Sequence, residues 1–298
     1  MRKAILIAVL IAACSQGVGD DTSPLPVSVA GSDGRTLTLE EPAGRIVSLS
    51  ATHTEMLYAV GAESQIAATD LTSNYPEEAE STVKVDAFNF SIEEIAALDP
   101  DLVVLAFDFQ GEIEALERVG IPSLLLEPAA TLEEAYDQIL KVGTVTGHQE
   151  EAERLIDEMS GEVESILGSA PGFVEPPSVY HEVDATLFSP NSASLPGDLY
   201  RRFGLVNIAD EVPDETGSGY VQLSGEFIIE SDPVIIFLGD AAFGESADSL
   251  SARPGWSTLT ALRMGHVFEL DPDVSGRWGP RTVDLAVVVA EALDEVAG

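Results

Sequence analysis

Cysteine is almost absent from this chain: Cys14 is the only one in 298 residues. An intramolecular disulfide is therefore excluded, and so is a thiolate metal site, which needs several Cys or His at close spacing. The four histidines, His53, His148, His181 and His266, are dispersed without such spacing. Cations are scarce too. Three lysines and eleven arginines face 52 acidic residues, a formal net charge of −38. A surface of that sign repels nucleic acid and anionic headgroups, so neither is expected as a partner. The acids run along the whole chain, which reads as adaptation to saline surroundings rather than as one cation-binding patch. Catalytic signatures are missing as well. There is no G-x-S-x-G elbow, no P-loop, no H-E-x-x-H and no G-x-G-x-x-G after a strand, so neither an enzyme nor a cofactor is expected.

What is present begins at the N-terminus. Arg2 and Lys3 precede Ala4–Ala13, an apolar run of ten. It is too short to span a bilayer and suits a signal-peptide core. It ends Ile11-Ala12-Ala13-Cys14, the pattern of a bacterial lipoprotein cleavage box. Residues 1–13 are read as a signal peptide. Cys14 is read as the lipidated first residue of the mature chain, anchoring it to the membrane, and 14–26 as a flexible tether. Loss of Arg2 and Lys3 takes the cations from 14 to 12 against 52 acids, a net of −40.

The rest is organised around a repeated stretch. Ser91–Leu105 (SIEEIAALDPDLVVL) aligns without a gap to Ser224–Leu238 (SGEFIIESDPVIIFL). The two share Ser91/Ser224, Glu93/Glu226, Ile95/Ile228, Asp99/Asp232, Pro100/Pro233 and Leu105/Leu238. In each, Ser caps a short helix, Asp-Pro ends it, and an apolar run of strand length follows. Copies so far apart are no solenoid repeat; they place one unit in each of two similar lobes. Elsewhere strands alternate with helices, which predicts parallel sheets covered on both faces. A hairpin is expected across 27–39. Residues 131–167 carry helical apolar spacing, with Thr131 and Glu134 as a capping box. They form one long helix or two, interrupted near Gly143–Gly147, and join the lobes. In the second lobe a helix is expected over Asp198–Phe203 with Asp198 as N-cap, and a last helix opens at Pro280. The organisation is an N-terminal α/β lobe at 27–130, a connecting helix at 131–168 and a C-terminal α/β lobe at 169–298.

Taken together, the lipoprotein signal, DGRTLTL, RIVSLSATHTEMLYAVGA, the NYP loop, SIEEIAALDPDLVV, the helical connector, YVQLSGEFI and GRWGPR resemble a known family. It is the two-lobed substrate-binding proteins of ABC importers for cobalamin and ferric siderophores. The likeness runs from Val27 to the C-terminus and is strongest to the cobalamin-binding members, through NYP and YVQLSGE. The resemblance implies two Rossmann-like lobes with parallel sheets, joined by one rigid long helix. It implies a ligand cleft between them, little hinge motion, and delivery to a permease and its ATPase. By the same resemblance, Glu93 and Glu226 are the lobe-surface acids that pair with permease arginines. Taken alone, acids in a first helical turn merely complement the helix dipole, by roughly 0.3–1 kcal/mol.

Ligands of open α/β sheets bind beyond the carboxyl ends of the strands. The loops there hold Tyr75, Phe88, Phe90, Phe107, Phe109, Phe188, Tyr220, Phe243 and Trp278. Aromatic faces with few polar groups suit a large, flat, mostly uncharged macrocycle. By the same resemblance, Tyr220 and, with a one-residue gap, Phe88 match or nearly match positions where cobalamin-binding members carry aromatics. His53 is placed on the cleft side, to approach a ligand's metal centre or amide, or else to bond its own turn. Arg277 is the cleft cation, and Arg281 is assigned to a structural ion pair. Ferric siderophores are commonly anionic and would want several cationic donors. A monomer that captures a corrinoid is the first expectation. A ferric siderophore or haem is the second ligand class, and a surface sensor without a transporter is the rival role.

Overall fold

The computed structural model describes residues 26–298. The signal peptide, Cys14 and all but the last residue of the tether lie outside the described residues.

A hairpin of β1 (Val27–Ala30) and β2 (Thr36–Leu39) leads the chain. The first lobe then alternates β3 (Ile46–Leu49), α1 (Ala51–Ala59), β4 (Ile66–Asp70), β5 (Lys84–Val85), α2 (Ile92–Ala96), β6 (Leu102–Leu105), α3 (Glu112–Arg118) and β7 (Ser123–Leu125). Its strands form one parallel sheet in the order β5-β4-β3-β6-β7. Two helices follow, α4 (Leu132–Thr146) and α5 (Gln149–Ser169). The second lobe runs β8 (Ser178–Glu182), β9 (Phe188–Pro190), α6 (Leu195–Arg202), β10 (Val206–Asn207), β11 (Tyr220–Gln222), α7 (Gly225–Ser231) and β12 (Ile235–Leu238). It ends with α8 (Ala247–Ala252), α9 (Thr260–Met264), β13 (Val267–Glu269), α10 (Pro272–Ser275) and α11 (Thr282–Ala297). Here the parallel sheet is β10-β8-β12-β13, and β9 pairs with β11 in a separate antiparallel ribbon. The chain is thus an α/β protein of two doubly wound lobes. Among the described residues no helix is long and apolar enough to cross a membrane.

The two repeated stretches occupy equivalent places in different sheets. Ser91 caps α2 by accepting from the Glu94 N–H at 3.1 Å, and Ser224 caps α7 by accepting from Phe227 N–H at 3.2 Å. Asp99 and Asp232 both leave their helices in the left-handed region, at φ +49° and +42°. Few non-glycine residues adopt it, and Asp is among those that do. The following prolines bar any return to helix. β6 then lies between β3 and β7, and β12 between β8 and β13, every residue of both strands buried. Burial on both faces is why each reads as an unbroken apolar run.

Two local expectations are corrected, and one open alternative is decided. The 131–168 connector, expected as one long helix or two, is two helices. Gly147 ends α4 at φ +78°, and α5 begins two residues later. The helices pack closely there: a Cβ added at Gly143 would come within 2.4 Å of the Ala152 Cβ. The α6 helix starts three residues earlier than expected, capped by Ser194, and Asp198 is used inside it to hold Arg201 and Arg202. Thr131 caps α4, but the Glu134 carboxylate accepts from the Ala130 N–H at 2.8 Å rather than completing a capping box.

The lobes share a hydrophobic layer. It runs from Ile46, Met56 and Leu102, through Leu132, Ile139 and Met159 of α4 and α5, to Val179, Phe237 and Leu285. Each sheet's other face has a core of its own, around Val103 and Ile113 in the first lobe and Ile236 and Trp256 in the second. Swinging one lobe against the other would unpack the shared layer, so the cleft is held by close packing rather than by a free hinge.

Candidate functional site

All four strand ends next to the first lobe's switch point feed one concavity. Leu49–Thr52 follow β3, Asp70 and Thr72 follow β4, Ala87 and Phe88 follow β5, and Leu105–Phe107 with Phe109 follow β6. The opposite wall is the segment after β13, Pro272 to Trp278. The cavity is about 300 Å³. A second cavity of about 240 Å³ adjoins it, sharing Phe107, Gly276, Arg277 and Trp278 and adding Ala193–Pro196, Ser218 and Tyr220. Together they form a cleft between the lobes, at the carboxyl ends of the first sheet, where open α/β sheets bind ligands.

The first-lobe wall is an aromatic platform. Phe107 and Phe109 stack with ring centroids 4.9 Å apart, and Phe88 lies 6.4 and 6.3 Å from them. All three rings are exposed, Phe109 by 69% and Phe88 by 64%. Exposed stacked phenyls on a rigid scaffold offer apolar surface without a protein partner. Across the cleft, Trp278 is fixed by its indole N–H donating to Gln138 Oε1 at 2.8 Å. The half-buried Tyr220 is set by the loop before it. There Asp214 accepts from the Gly219, Gly217 and Ser218 amides, at 2.7, 2.8 and 3.3 Å. These amides, Gly219 foremost, with the Thr216 hydroxyl hold the Asp214 carboxyl down to about 2. Gly219 has φ +78°, and a Cβ there would meet the Ala193 carbonyl oxygen at 2.7 Å.

Charge on the cleft walls is mostly accounted for within the protein. Arg277 donates to Glu55 Oε1 at 2.6 Å, Asn74 Oδ1 at 2.9 Å, the Thr72 carbonyl at 3.0 Å and Asp273 Oδ1 at 2.6 Å. A guanidinium has five N–H groups, so about one remains free. Glu55, on α1, also takes a forked pair from Arg281, at 2.6 and 3.0 Å. One buried first-lobe carboxylate therefore holds two second-lobe guanidiniums. Asn74 adds a bond to Asp273 at 2.7 Å across the same boundary.

Phe88, Phe107, Tyr220, Arg277 and Trp278 of the expected set thus converge on the cleft. Three others do not. His53 is fully buried, without a hydrogen-bond partner on either ring nitrogen, edge-on to Trp278 at a centroid distance of 6.1 Å. Thr52 at the start of α1 lines the cleft, but His53 beside it is turned into the interior and lines neither cavity. Tyr75 lies under the Arg281 guanidinium, 4.4 Å from its ring centroid, in a separate groove of about 950 Å³ beside α1, α5 and α11. That groove is larger than the cleft but lies away from the strand ends. Phe188 is on the β9–β11 ribbon, outside both cleft cavities. Arg281 forms the expected ion pair. Glu93 and Glu226 are solvent-exposed, and neither carboxylate has an ion-pair partner among the described residues. Reasoning from sequence missed Glu55, Asp214 and Gln138. Only the turn-rich DETGSG run around Asp214 left any local signal.

Burial lowers the His53 imidazole to about 4 and the His181 imidazole to about 3. Both folded values lie below the ordinary 6.5. The unfolded chain therefore binds protons that the fold refuses, and stability falls as pH drops below about 6.5. For His53 the loss reaches roughly 2–3 kcal/mol by about pH 4.5. Thermal melts should show His53→Leu with a shallower acid limb than wild type; parallel limbs would contradict the assignment.

The fold and cleft define a class: an α/β protein of two lobes that holds a small molecule between them. The chain belongs to the periplasmic binding protein family, whose profile matches residues 46–274. It is an extracytoplasmic ligand binder and not an enzyme. It is 26% identical over 304 residues to the uncharacterized ABC transporter substrate-binding lipoprotein YvrC of Bacillus subtilis, covering 97% of this chain and 94% of that one. It is 26% identical over 260 residues to a vitamin B12-binding protein of Vibrio parahaemolyticus, covering 86% and 91%. The fold is also that of a periplasmic haem-binding protein from Roseiflexus, at a TM-score of 0.75 and 22% identity, covering 86% of this chain and 100% of that one.

Proposed function

We propose that this protein is the substrate-binding component of an ABC importer and that its ligand is a cobalamin-type corrinoid. Residues 27–130 and 169–298 act as its two lobes, and Cys14 anchors it, as a monomer, by a lipid. The observation that carries the ligand assignment is the pairing of an exposed three-phenyl platform with a cleft whose one lining guanidinium, Arg277, is already committed to protein acceptors. A corrin presents a broad face and a rim of neutral amides. It asks for apolar surface and a few hydrogen bonds, and the cleft offers Ser50, Thr52 and Tyr220 beside the rings. Haem brings two carboxylates and ferric siderophores several anionic oxygens, for which a cleft of this kind supplies no free cation. The named functions of YvrC and of the Vibrio protein support the importer role and the corrinoid. Glu93 and Glu226, one exposed on each lobe, are assigned to the permease.

Mass spectrometry of the protein purified under native conditions from its own host tests the ligand. The expected result is a one-to-one complex carrying the mass of a corrinoid. A porphyrin or iron-chelate mass would overturn it.

A further inference from the structure

Four charged side chains line the two cleft cavities: Asp70, Glu112, Asp273 and Arg277. Three of them are neutralised or saturated within the protein. Asp70 is buried, accepts from the Ser73 hydroxyl and from the Thr72 N–H and hydroxyl, and is attracted by the Lys84 ammonium. Asp273 is held by Arg277 and Asn74. Arg277 is balanced by Glu55 and Asp273. Glu112 is the exception. It is half-buried, lines the same cavity as Phe88, Phe107 and Phe109, and has no cationic partner among the described residues. One of its oxygens accepts from the Gln110 N–H at 2.9 Å, and the other has no hydrogen-bond partner among the described residues. A carboxylate at the edge of an aromatic platform, partly screened from water, attracts a cation more strongly than one in open solvent.

Resting on the corrinoid reading above, we infer that Glu112 is a specificity-determining residue, pairing with the positive charge of a cationic corrinoid so that the cleft ranks its ligands by net charge. Cobalt(III) corrinoids differ in this respect by their upper axial ligand. With cyanide bound the molecule is neutral, and with water bound it carries one positive charge. The acidic surface of the whole chain also favours cations, but its field is long-ranged, screened by salt and almost unchanged by the loss of one acid in 52. A local pairing and a global field are therefore separable.

The experiment is calorimetric titration of the wild-type protein and of Glu112→Gln with aquocobalamin and with cyanocobalamin, at mildly acidic pH and at low and high salt. Wild type should prefer the aquo form by roughly threefold to tenfold. In Glu112→Gln the ratio should fall to about one, through a larger loss of affinity for aquocobalamin than for cyanocobalamin. Equal affinities in wild type, or a preference that survives in Glu112→Gln, would overturn the inference and leave the corrinoid assignment standing. Failure of both corrinoids to bind wild type would overturn the corrinoid assignment, and this inference with it.

Discussion

Glu55→Ala is expected to lower the melting temperature by an amount on the order of 10 °C. Glu55 is 2% exposed and is the shared acceptor for Arg277 and Arg281, whose side chains are 8% and 12% exposed. Removing one member of a buried ion cluster leaves the others uncompensated, which costs about 3–5 kcal/mol. Here Arg281 loses both bonds of its forked pair, while Arg277 loses one of its two anionic partners and keeps Asp273. Glu55→Gln keeps a hydrogen-bond acceptor of the same shape and is expected to fall between alanine and wild type. The loss bears on function as well. The cluster ties α1 of the first lobe to the segment between α10 and α11 of the second, and that segment carries Trp278. Ligand affinity should therefore fall along with stability, even though Glu55 lines neither cleft cavity. Calorimetric melting of the three proteins decides the matter. A melting temperature for Glu55→Ala within about 2 °C of wild type would mean the cluster is worth no more than a surface pair.

Such a cluster could not be read from the sequence, and the reason is distance along the chain. Glu55 and Arg277 are 222 residues apart, and Glu55 and Arg281 are 226. Periodicity and capping rules describe neighbours within a turn or two, so Arg281 could be assigned to an ion pair but not given its partner. What was legible was local. Ser91 and Ser224 as caps, and Asp99-Pro100 and Asp232-Pro233 as stops, rest on chemistry contained within a few residues. The buried strands β6 and β12 announced themselves as apolar runs for the same reason. The site was legible in part. Loops at strand ends locate the cleft, and Phe88, Phe107, Tyr220, Arg277 and Trp278 line it. Which way a loop side chain turns is set by what packs against it. His53 went into the interior because α1 is enclosed by the sheet, α4 and the second lobe. Tyr75 was drawn to Arg281, where its ring faces a guanidinium. Asp198 looked like a cap because aspartate favours that position, but its carboxylate is buried inside α6 and is compensated there by Arg201 and Arg202.

The central claim is that two similar lobes hold a corrinoid between them while each offers one acid outward to a permease. Reversing both charges, Glu93→Arg with Glu226→Arg, should abolish uptake and leave the cleft untouched. Each acid is exposed at the first turn of a short helix whose serine cap accepts a backbone amide, so arginine there disturbs no buried group. A single exposed ion pair is worth only about 0.2–1 kcal/mol. Reversal does more than delete two such pairs: it sets like charges face to face, which costs several kcal/mol across an interface. The decisive measurement is accumulation of labelled cobalamin by host cells carrying the double variant, with calorimetric titration of the same purified variant alongside. The prediction is uptake at background level with a dissociation constant equal to wild type. Wild-type uptake in the double variant, or loss of cobalamin binding together with uptake, would contradict the account.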